Sequence, residues 1–226
     1  MPRPETAFPG KGLYLLTPDD VDTASLVERV SVALPHAALL QYRNKTADAA
    51  LRHEQAVALL PLCRKHGVPL LVNDDWRLAA DIGADGAHLG EHDGMLQAAR
   101  TALGPDAILG ASCYDSLDRA ADAARAGASY LAFGAFFPSS TKPNARQASM
   151  TLLRDAARFC LPLVAIGGIT RDNTPRLVEA GADYVAVISG VFDAPDPIDA
   201  ARGYAACFPR TRPHPTNEAG TGDNTP

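Results

Sequence analysis

Short apolar runs recur along the chain, and each is followed by a longer stretch in which apolar residues repeat with helical spacing. The runs are bounded by Gly and Pro and occupy residues 13–17, 38–42, 69–73, 86–89, 107–111, 130–134, 162–166 and 184–188. Runs this short and this apolar are typical of strands buried on both faces. The amphipathic stretches between them predict helices, several of which should end at a left-handed glycine: Gly83, Gly127 and Gly181.

Eight strand–helix units predict an α/β protein with a single closed (β/α)8 TIM barrel. The alternative is an open, doubly wound sheet, and the absence of GxGxxG after the first run counts against it. We expect the barrel to form one catalytic domain over residues 1–208. Residues 209–226 are rich in Pro, Gly, Thr and charge and lack apolar periodicity, so they predict a disordered polar tail.

Net charge, cysteine spacing and the lengths of the apolar runs argue against several classes of protein. The formal charge of −5 and the sequence pI near 5.6 argue against binding of nucleic acid or of an anionic membrane surface. The four cysteines lie far apart without a CxxC pair, which predicts buried free thiols in a reducing cytosol. The start of the chain lacks an apolar leader and no run reaches the length of a membrane span, so we expect a cytoplasmic protein.

Polar residues follow most of the predicted strands at the point where each strand ends. In barrels of this type the chemistry lies beyond the carboxyl ends of the strands. The groups concerned are Gln41–Lys45, Asn73–Asp75, His88–Asp93, Ser112, Ser139–Lys142, Gly167–Gly168 and Ser189–Gly190. Their coincidence at equivalent ends predicts a functional mouth.

Charged residues at this mouth suggest an anion and a metal. Arg43, Lys45 and Lys142 would place three cations on one rim, although solvated surface charge is the usual state of such residues. Asp74 and Asp93 follow adjacent strands and could share one Mg²⁺, which prefers carboxylates and substrate oxygens. The alternative is helix N-capping, by Asp74 or its neighbour Asp75 and by Asp93.

A second anion site is predicted on the other side of the mouth. Gly167 and Gly168 beside Ser189 would form a phosphate cradle of backbone N–H groups, in the place that barrels commonly use after strands seven and eight. The hydroxyls of residues 139–141 lie in the same mouth. His88 and His92 are separated by a glycine and are not expected to form a helical zinc pair.

The ordered set of motifs resembles the thiamine phosphate synthase family over Leu13 to about Phe192. The motifs are LYLLT, LQYRNK, VNDD, GADGAHLGEHD, LGASCY, FGAFFPSSTKP, VAIGGI and VAVISG. The resemblance implies a transferase that joins a 4-amino-2-methyl-5-hydroxymethylpyrimidine diphosphate to a thiazole phosphate, with Mg²⁺ as cofactor. Two phosphorylated small molecules would be its partners, with homo-oligomerisation left open.

The resemblance also implies residue roles. The pyrimidine diphosphate would be bound by Gln41, Tyr42, Arg43, Asn44, Lys45, Asn73, Ser112 and Lys142, of which Arg43, Lys45, Ser112 and Lys142 would be catalytic. The thiazole phosphate would be bound by Ser139, Ser140, Thr141, Gly167, Gly168, Ile188 and Ser189, and Mg²⁺ by Asp74 and Asp93. Asn44, Asp75 and Ser139 depart from the commonest family pattern, and none removes a charge that the diphosphate or the metal needs.

Three other functions compete with this interpretation. A thiazole tautomerase-like protein shares the barrel and the cradle, but it would not need the two aspartates together with the three cations. A phosphosugar isomerase or epimerase would need a clear acid–base pair, and His88 is the one candidate at the strand ends. A non-catalytic binder of thiamine precursors would bind both substrates without releasing pyrophosphate.

Overall fold

A computed structural model of the chain describes residues 8–90, 93–138 and 147–209. It confirms the predicted alternation of strands and helices. The strands are β1 Gly12–Leu16, β2 Ala37–Tyr42, β3 Leu70–Asn73, β4 Gly86–Leu89, β5 Ile108–Tyr114, β6 Tyr130–Gly134, β7 Leu163–Ile166 and β8 Tyr184–Val187. The helices are α1 Thr23–Ala33, α2 Ala49–His66, α3 Trp76–Ile82, α4 Asp93–Leu103, α5 Leu117–Arg125, α6 Met150–Ala156, α7 Thr174–Glu179, α8 Ser189–Phe192 and α9 Pro197–Ala205.

The strands form a closed parallel barrel in sequence order. Each strand pairs with the next, and β8 pairs with β1 through contacts such as Leu13 with Val185. Closure confirms the (β/α)8 barrel and rules out the open sheet. It also brings the carboxyl ends of all eight strands to one face of the molecule.

Side chains alternate between two cores, as the two-residue period of a strand requires. On β1, Leu13 and Leu15 pack outward against the helices, whereas Tyr14 and Leu16 fill the barrel interior. The interior positions on the other strands are occupied mainly by Leu39, Leu71, Ile108, Tyr130, Val164 and Tyr184. The barrel is therefore filled rather than open along its axis.

Phe8 closes the amino-terminal end of the barrel. Its ring packs edge-on against Tyr130 and Tyr184, with centroids 6.0 and 5.6 Å away. These two tyrosines are the first residues of β6 and β8. The opposite end is therefore the one at which polar groups can reach solvent.

Local signals at the helix ends agree with the sequence. Gly83, Gly127 and Gly181 have φ values of 68°, 90° and 110°, which confirms the predicted left-handed glycines. At the start of α3, the Asp75 side chain accepts a hydrogen bond from the Leu78 N–H. This carboxylate satisfies one of the unpaired amides of the first helical turn.

Two expectations need correction. β5 continues to Tyr114 through an irregularity between Ser112 and Tyr114, so Ser112 lies within the strand instead of after it. All four cysteines are free, but Cys160 is exposed and Cys207 is partly exposed, so the prediction of buried thiols was wrong for these two. Within the described ranges, every helix is too short or too polar to cross a membrane.

Candidate active site

Four interior positions at the carboxyl ends of neighbouring strands carry polar side chains. Gln41 follows Leu39 on β2, and Asn73 follows Leu71 on β3. His88 occupies the same face of β4, and Ser112 follows Ile108 and Gly110 on β5. Residues two apart share a face of a strand, so these side chains continue the interior column of each strand into the mouth.

Hydrogen bonds connect three of these four residues, Gln41, His88 and Ser112, across the barrel. Gln41 Nε2 donates to Tyr14 Oη over 2.7 Å. Tyr14 Oη and Tyr130 Oη are 2.7 Å apart, and Tyr130 Oη lies 2.8 Å from His88 Nδ1. His88 Nε2 lies 2.9 Å from Ser112 Oγ. The chain of contacts thus runs from β2 to β5 through three buried side chains.

Burial sets the charge of the central residues. Desolvation lowers the pKa of His88 to about 4, because the charged imidazolium is disfavoured away from water. Desolvation likewise raises the pKa of Tyr14 and of Tyr130 well above the usual range. All three side chains are therefore neutral near pH 7.

The loop after β2 places two cations near the mouth. Arg43 Nη1 lies 3.2 Å from Asp19 Oδ1, and the same carboxylate oxygen accepts the Lys45 N–H over 2.9 Å. The backbone of Arg43 is fixed by Thr17, whose Oγ1 donates to the Arg43 carbonyl and accepts its N–H. Lys45 itself is exposed.

The side chains of Tyr42 and Asn44 face away from the mouth. Tyr42 lies in the outer core, and its Oη donates to Gln55 Oε1 on α2 over 2.9 Å. Asn44 Nδ2 donates to the Asp20 carbonyl and to the same Gln55 oxygen, while its Oδ1 accepts from the Thr46 N–H. These two side chains hold the loop in place, so a contact with substrate would come from their backbone.

The loop after β3 separates a capping carboxylate from a carboxylate that faces the mouth. Asp75 caps α3, whereas Asp74 has a φ of 62° and donates its N–H to the His88 carbonyl over 2.7 Å. Asn73 Nδ2 donates to Asp74 Oδ2 over 2.8 Å and so orients that carboxylate. The capping alternative thus applies to Asp75 and not to Asp74.

A carboxylate held in this way suits a hard divalent cation, which needs oxygen ligands. The second predicted ligand, Asp93, is the first residue of α4, and its side chain lies outside the described part of the structure. No group of three or more His, Cys, Asp and Glu side chains that could hold a metal occurs among the described residues. A metal here would therefore depend on Asp74, Asp93 and substrate oxygens.

The predicted phosphate cradle lies at the end of β7. Gly167 and Gly168 have φ values of 98° and 63°. A Cβ on Gly167 would lie 2.4 Å from the Ala135 Cβ, and one on Gly168 would lie 2.4 Å from the Pro138 carbonyl oxygen. The segment after β6 therefore packs directly on these glycines, and both their conformation and their contacts exclude a side chain.

Two further predicted residues lie beside this cradle, directly after the adjacent strand β8. Ile188 directly follows β8 and packs partly against the interior core, and the exposed Ser189 begins α8. The other residues predicted for this side, Ser139, Ser140 and Thr141, lie outside the described residues, as does Lys142, which was predicted to be catalytic. The described chain before them ends at Pro138, beside Gly168.

Sequence reasoning missed the residues that link the mouth to the barrel interior. Tyr14 and Tyr130 were assigned to buried strands without a polar role. The signal that could have found them is chemical, since a buried tyrosine hydroxyl needs a hydrogen-bond partner. Asp19, which binds the loop carrying Arg43 and Lys45, was also missed because it lies in a loop without a motif.

The protein is a filled (β/α)8 barrel, and its interior columns end in Gln, Asn, His and Ser side chains. A carboxylate, an arginine and a pair of glycines lie beside these side chains. This arrangement defines the class of protein as a barrel enzyme with its site at the carboxyl ends of the strands. The family model described as thiamine monophosphate synthase matches residues 13–191. The chain belongs to this family.

Individual relatives agree. The thiamine-phosphate synthase of Xanthomonas campestris pv. campestris (strain 8004) is 57% identical over 198 residues, which cover 88% of this chain and 96% of that protein. The thiamine-phosphate synthase of Azoarcus sp. (strain BH72) is 56% identical over 200 residues, covering 88% and 97%. The solved structure of thiamine phosphate pyrophosphorylase from Pyrococcus furiosus has a TM-score of 0.76 at 33% identity and covers 87% of this chain and 94% of that chain.

Proposed function

We propose that this chain condenses 4-amino-2-methyl-5-hydroxymethylpyrimidine diphosphate with 4-methyl-5-(2-phosphoethyl)thiazole to give thiamine phosphate and pyrophosphate. One observation supports this most directly. Gln41, Asn73 and Ser112, from three different strands, lie on interior positions at the same end of a barrel of this family. Arg43 and Asp74 flank them, so neutral hydrogen-bonding groups and charges occur in one mouth.

We assign the pyrimidine ring to the neutral groups and the diphosphate to the charged ones. The side chains of Gln41 and Ser112 can hydrogen-bond a ring that carries an amine and nitrogens. Arg43, Lys45 and Lys142 would bind the diphosphate. Arg43 is paired with Asp19 in the structure described here, and the stronger negative charge of a diphosphate would compete for its guanidinium.

We assign Mg²⁺ to Asp74 and Asp93, with Asn73 orienting the first carboxylate. When bound, this ion would neutralise negative charge on the diphosphate oxygens. The thiazole phosphate is assigned to the opposite side, to the backbone of Gly168 and of Ser189 with the hydroxyls of residues 139–141. Glycines at positive φ can bring N–H groups close to such an anion.

The proposed chemistry needs no enzyme nucleophile. The carbon–oxygen bond to the diphosphate breaks, and the electron pair leaves with pyrophosphate. Arg43, Lys45 and Lys142 stabilise the growing negative charge, and the electron-rich aminopyrimidine carries the positive charge on its methylene. The thiazole nitrogen then donates its electron pair to that methylene, and the positioning of the two substrates lowers the entropic part of the barrier.

The test is release of pyrophosphate from the purified chain supplied with both substrates and Mg²⁺. We expect release that requires both substrates and stops when EDTA removes the metal. Binding of both substrates without release would identify a binder instead. Conversion of the thiazole phosphate alone would indicate a tautomerase, and turnover of a phosphosugar would indicate an isomerase; each of these results would overturn the proposal.

A further inference from the structure

The hydrogen-bond chain between Gln41 and Ser112 has a fixed direction. An amide nitrogen can only donate, so Tyr14 Oη accepts from Gln41. The O–H of Tyr14 then points to Tyr130, because any other arrangement would leave a buried hydroxyl proton unpaired. The O–H of Tyr130 points in turn to His88 Nδ1.

The same reasoning fixes which atom donates and which accepts at the Ser112 end of the hydrogen-bond chain. A neutral imidazole that accepts at Nδ1 carries its proton on Nε2. His88 Nε2 therefore donates to Ser112 Oγ, which leaves the O–H of Ser112 to donate elsewhere. At the near end, Gln41 donates one of its two amide N–H groups to Tyr14, which fixes the orientation of the amide and leaves its Oε1 as an acceptor. The hydrogen bonds thus hold Gln41 Oε1 as an acceptor at one end and the Ser112 O–H as a donor at the other.

The two ends are coupled through the chain. If the Gln41 amide turned over, Tyr14 would have to donate to it, and each later hydrogen bond would have to reverse. Ser112 would then donate to His88 and become an acceptor toward the mouth. A partly reversed chain would leave an unpaired polar group in a buried site, which is costly.

A glycine in β5 makes room for this hydrogen-bond chain. A Cβ on Gly110 would lie 2.0 Å from Tyr130 Cζ and 2.5 Å from His88 Nδ1, so the contact of these two side chains requires glycine at that position. The rings of Tyr130 and His88 are stacked, with centroids 5.6 Å apart. The geometry is therefore built into β5 as well as into the strands that carry the chain.

We propose that Tyr14, Tyr130 and His88 are positioning residues that hold Gln41 as an acceptor and Ser112 as a donor toward the aminopyrimidine substrate. This inference rests on the proposed function. An aminopyrimidine presents an amine donor next to a ring-nitrogen acceptor, which matches one acceptor and one donor in the protein. A 4-oxo pyrimidine presents the reverse pattern and would bind well only if the whole chain reversed.

The test compares Tyr130→Phe with Tyr184→Phe. Both tyrosines are buried in the barrel interior and both contact Phe8, but the Tyr184 hydroxyl donates to the Pro9 carbonyl, away from the chain. The measurement is kcat/KM for the 4-amino pyrimidine diphosphate and for its 4-oxo analogue. A mutation in the protein does not alter the intrinsic reactivity of either substrate. A change in the ratio of the two kcat/KM values between variants therefore reports on the site.

We expect Tyr130→Phe to lower kcat/KM for the amino substrate by about tenfold, mainly through the KM of the pyrimidine, and to shrink the amino-to-oxo ratio by a similar factor. The KM of the thiazole phosphate should not change. Tyr184→Phe should keep the wild-type ratio. An unchanged ratio in Tyr130→Phe, or the same change in both variants, would overturn the proposal.

A second measurement does not depend on activity. Nitrogen-15 NMR of histidine-labelled wild-type protein should show His88 protonated on Nε2, with its signal assigned by its loss in His88→Gln. The signal should shift in Tyr130→Phe and not in Tyr184→Phe. A proton on Nδ1 in the wild type would overturn the inference even if pyrophosphate is released. Absence of pyrophosphate release with the Nε2 tautomer present would instead count against the proposed function.

Discussion

At the scale of single residues, Asp74 combines three unusual properties. It is a non-glycine residue with a left-handed φ of 62°, it follows a buried strand directly, and its neighbour Asp75 has taken the capping role. Left-handed conformations cost free energy and cluster at functional sites, although Asp and Asn tolerate them better than most residues. The backbone thus turns this carboxylate away from the helix terminus.

Asp74→Asn tests this role with little disturbance of the fold. Asparagine keeps the shape of the side chain and its tolerance of positive φ, so the melting temperature should change by only a few degrees. The loss of one negative charge from the proposed metal site should lower turnover by about 10²-fold or more. Pyrophosphate release at saturating Mg²⁺ measures this effect.

The matched control is Asp75→Ser, which retains an N-cap for α3 and should keep turnover near wild type. Normal turnover in Asp74→Asn, or an equal loss in both variants, would remove Asp74 from the metal site.

His88 predicts a pH dependence of stability. Burial lowers its pKa from 6.5 to about 4, so the unfolded chain binds this proton more readily than the folded chain between these pH values. The folded state therefore loses stability as the pH falls from about 6.5 to about 4. The contribution of this group is roughly 2 to 3 kcal/mol.

Urea unfolding of wild type and of His88→Gln at pH 7 and pH 4 measures this contribution. The variant lacks the titrating ring, so the difference in unfolding free energy between the two proteins should shrink by roughly 2 to 3 kcal/mol at pH 4. A difference independent of pH would mean that His88 is protonated equally well in both states.

At the scale of helices and strands, the sequence predicted most of what the structure contains. Apolar runs bounded by Gly and Pro located all eight strands to within a few residues, because burial on both faces leaves a local signature. The position of Ser112 was not predictable in this way. It lies in β5 because of an irregularity in pairing with β6, and such pairing depends on another strand.

Arg100 on α4 joins several elements on the outside of the barrel. Its Nη1 donates to the carbonyls of Gly104, Pro105 and Ala107, and its Nε and Nη2 donate to the Gly127 carbonyl. Desolvation lowers the pKa of this guanidinium, and the negative charge of Asp106 opposes that shift. One side chain thus ties together the loops before β5 and β6.

Arg100→Ala should therefore destabilise the protein by about 2 to 4 kcal/mol, because several carbonyls lose a charged donor at once. For a domain of this size the melting temperature should fall by about 5 to 15 °C. Arg100→Lys should recover only part of the loss, because an ammonium lacks the planar fork of a guanidinium. Turnover of the folded fraction should remain normal.

Arg125 on α5 provides the control. Its side chain is 74% exposed and pairs with Asp122 on the same helix, so Arg125→Ala should change the melting temperature very little. Equal effects of the two substitutions would show that the carbonyl contacts of Arg100 contribute nothing beyond a surface charge.

At the scale of the whole molecule, the candidate site exists only because the barrel closes. Tyr14 and Tyr130 hydrogen-bond across the interior although they are 116 residues apart in sequence. No local pattern encodes that contact. The polar residues at the strand ends could be found from the sequence, whereas their connection through buried tyrosines required the interior packing of all eight strands.

The two ends of the described chain contribute unequally to the stability of this closed barrel. Phe8 plugs the amino-terminal end, so Phe8→Ala should remove two ring contacts and destabilise the protein by about 2 kcal/mol. A melting temperature lower by about 4 to 8 °C is the expected result. Phe8→Leu should restore part of it by refilling the space, and a melting temperature unchanged in Phe8→Ala would show that the plug is dispensable.

Removal of the residues after Arg210 should leave the melting temperature nearly unchanged, because apolar packing of the described residues against the barrel stops near Phe208. Phe208, 6% exposed, packs with the outer core, and the residues removed, TRPHPTNEAGTGDNTP, include one alanine and no Val, Leu, Ile, Met, Phe, Tyr or Trp. So little apolar area can add only a small hydrophobic stabilisation. We expect the truncated chain to keep its turnover and to melt within about 2 °C of the full chain, since a shift of that size corresponds to less than about 1 kcal/mol. Thermal unfolding compares the melting temperatures of the full and the truncated chain. Phe8→Ala is measured in the same series to show that the assay detects a loss of stability. A drop of many degrees would show that the tail docks on the barrel and that the domain does not end near residue 208.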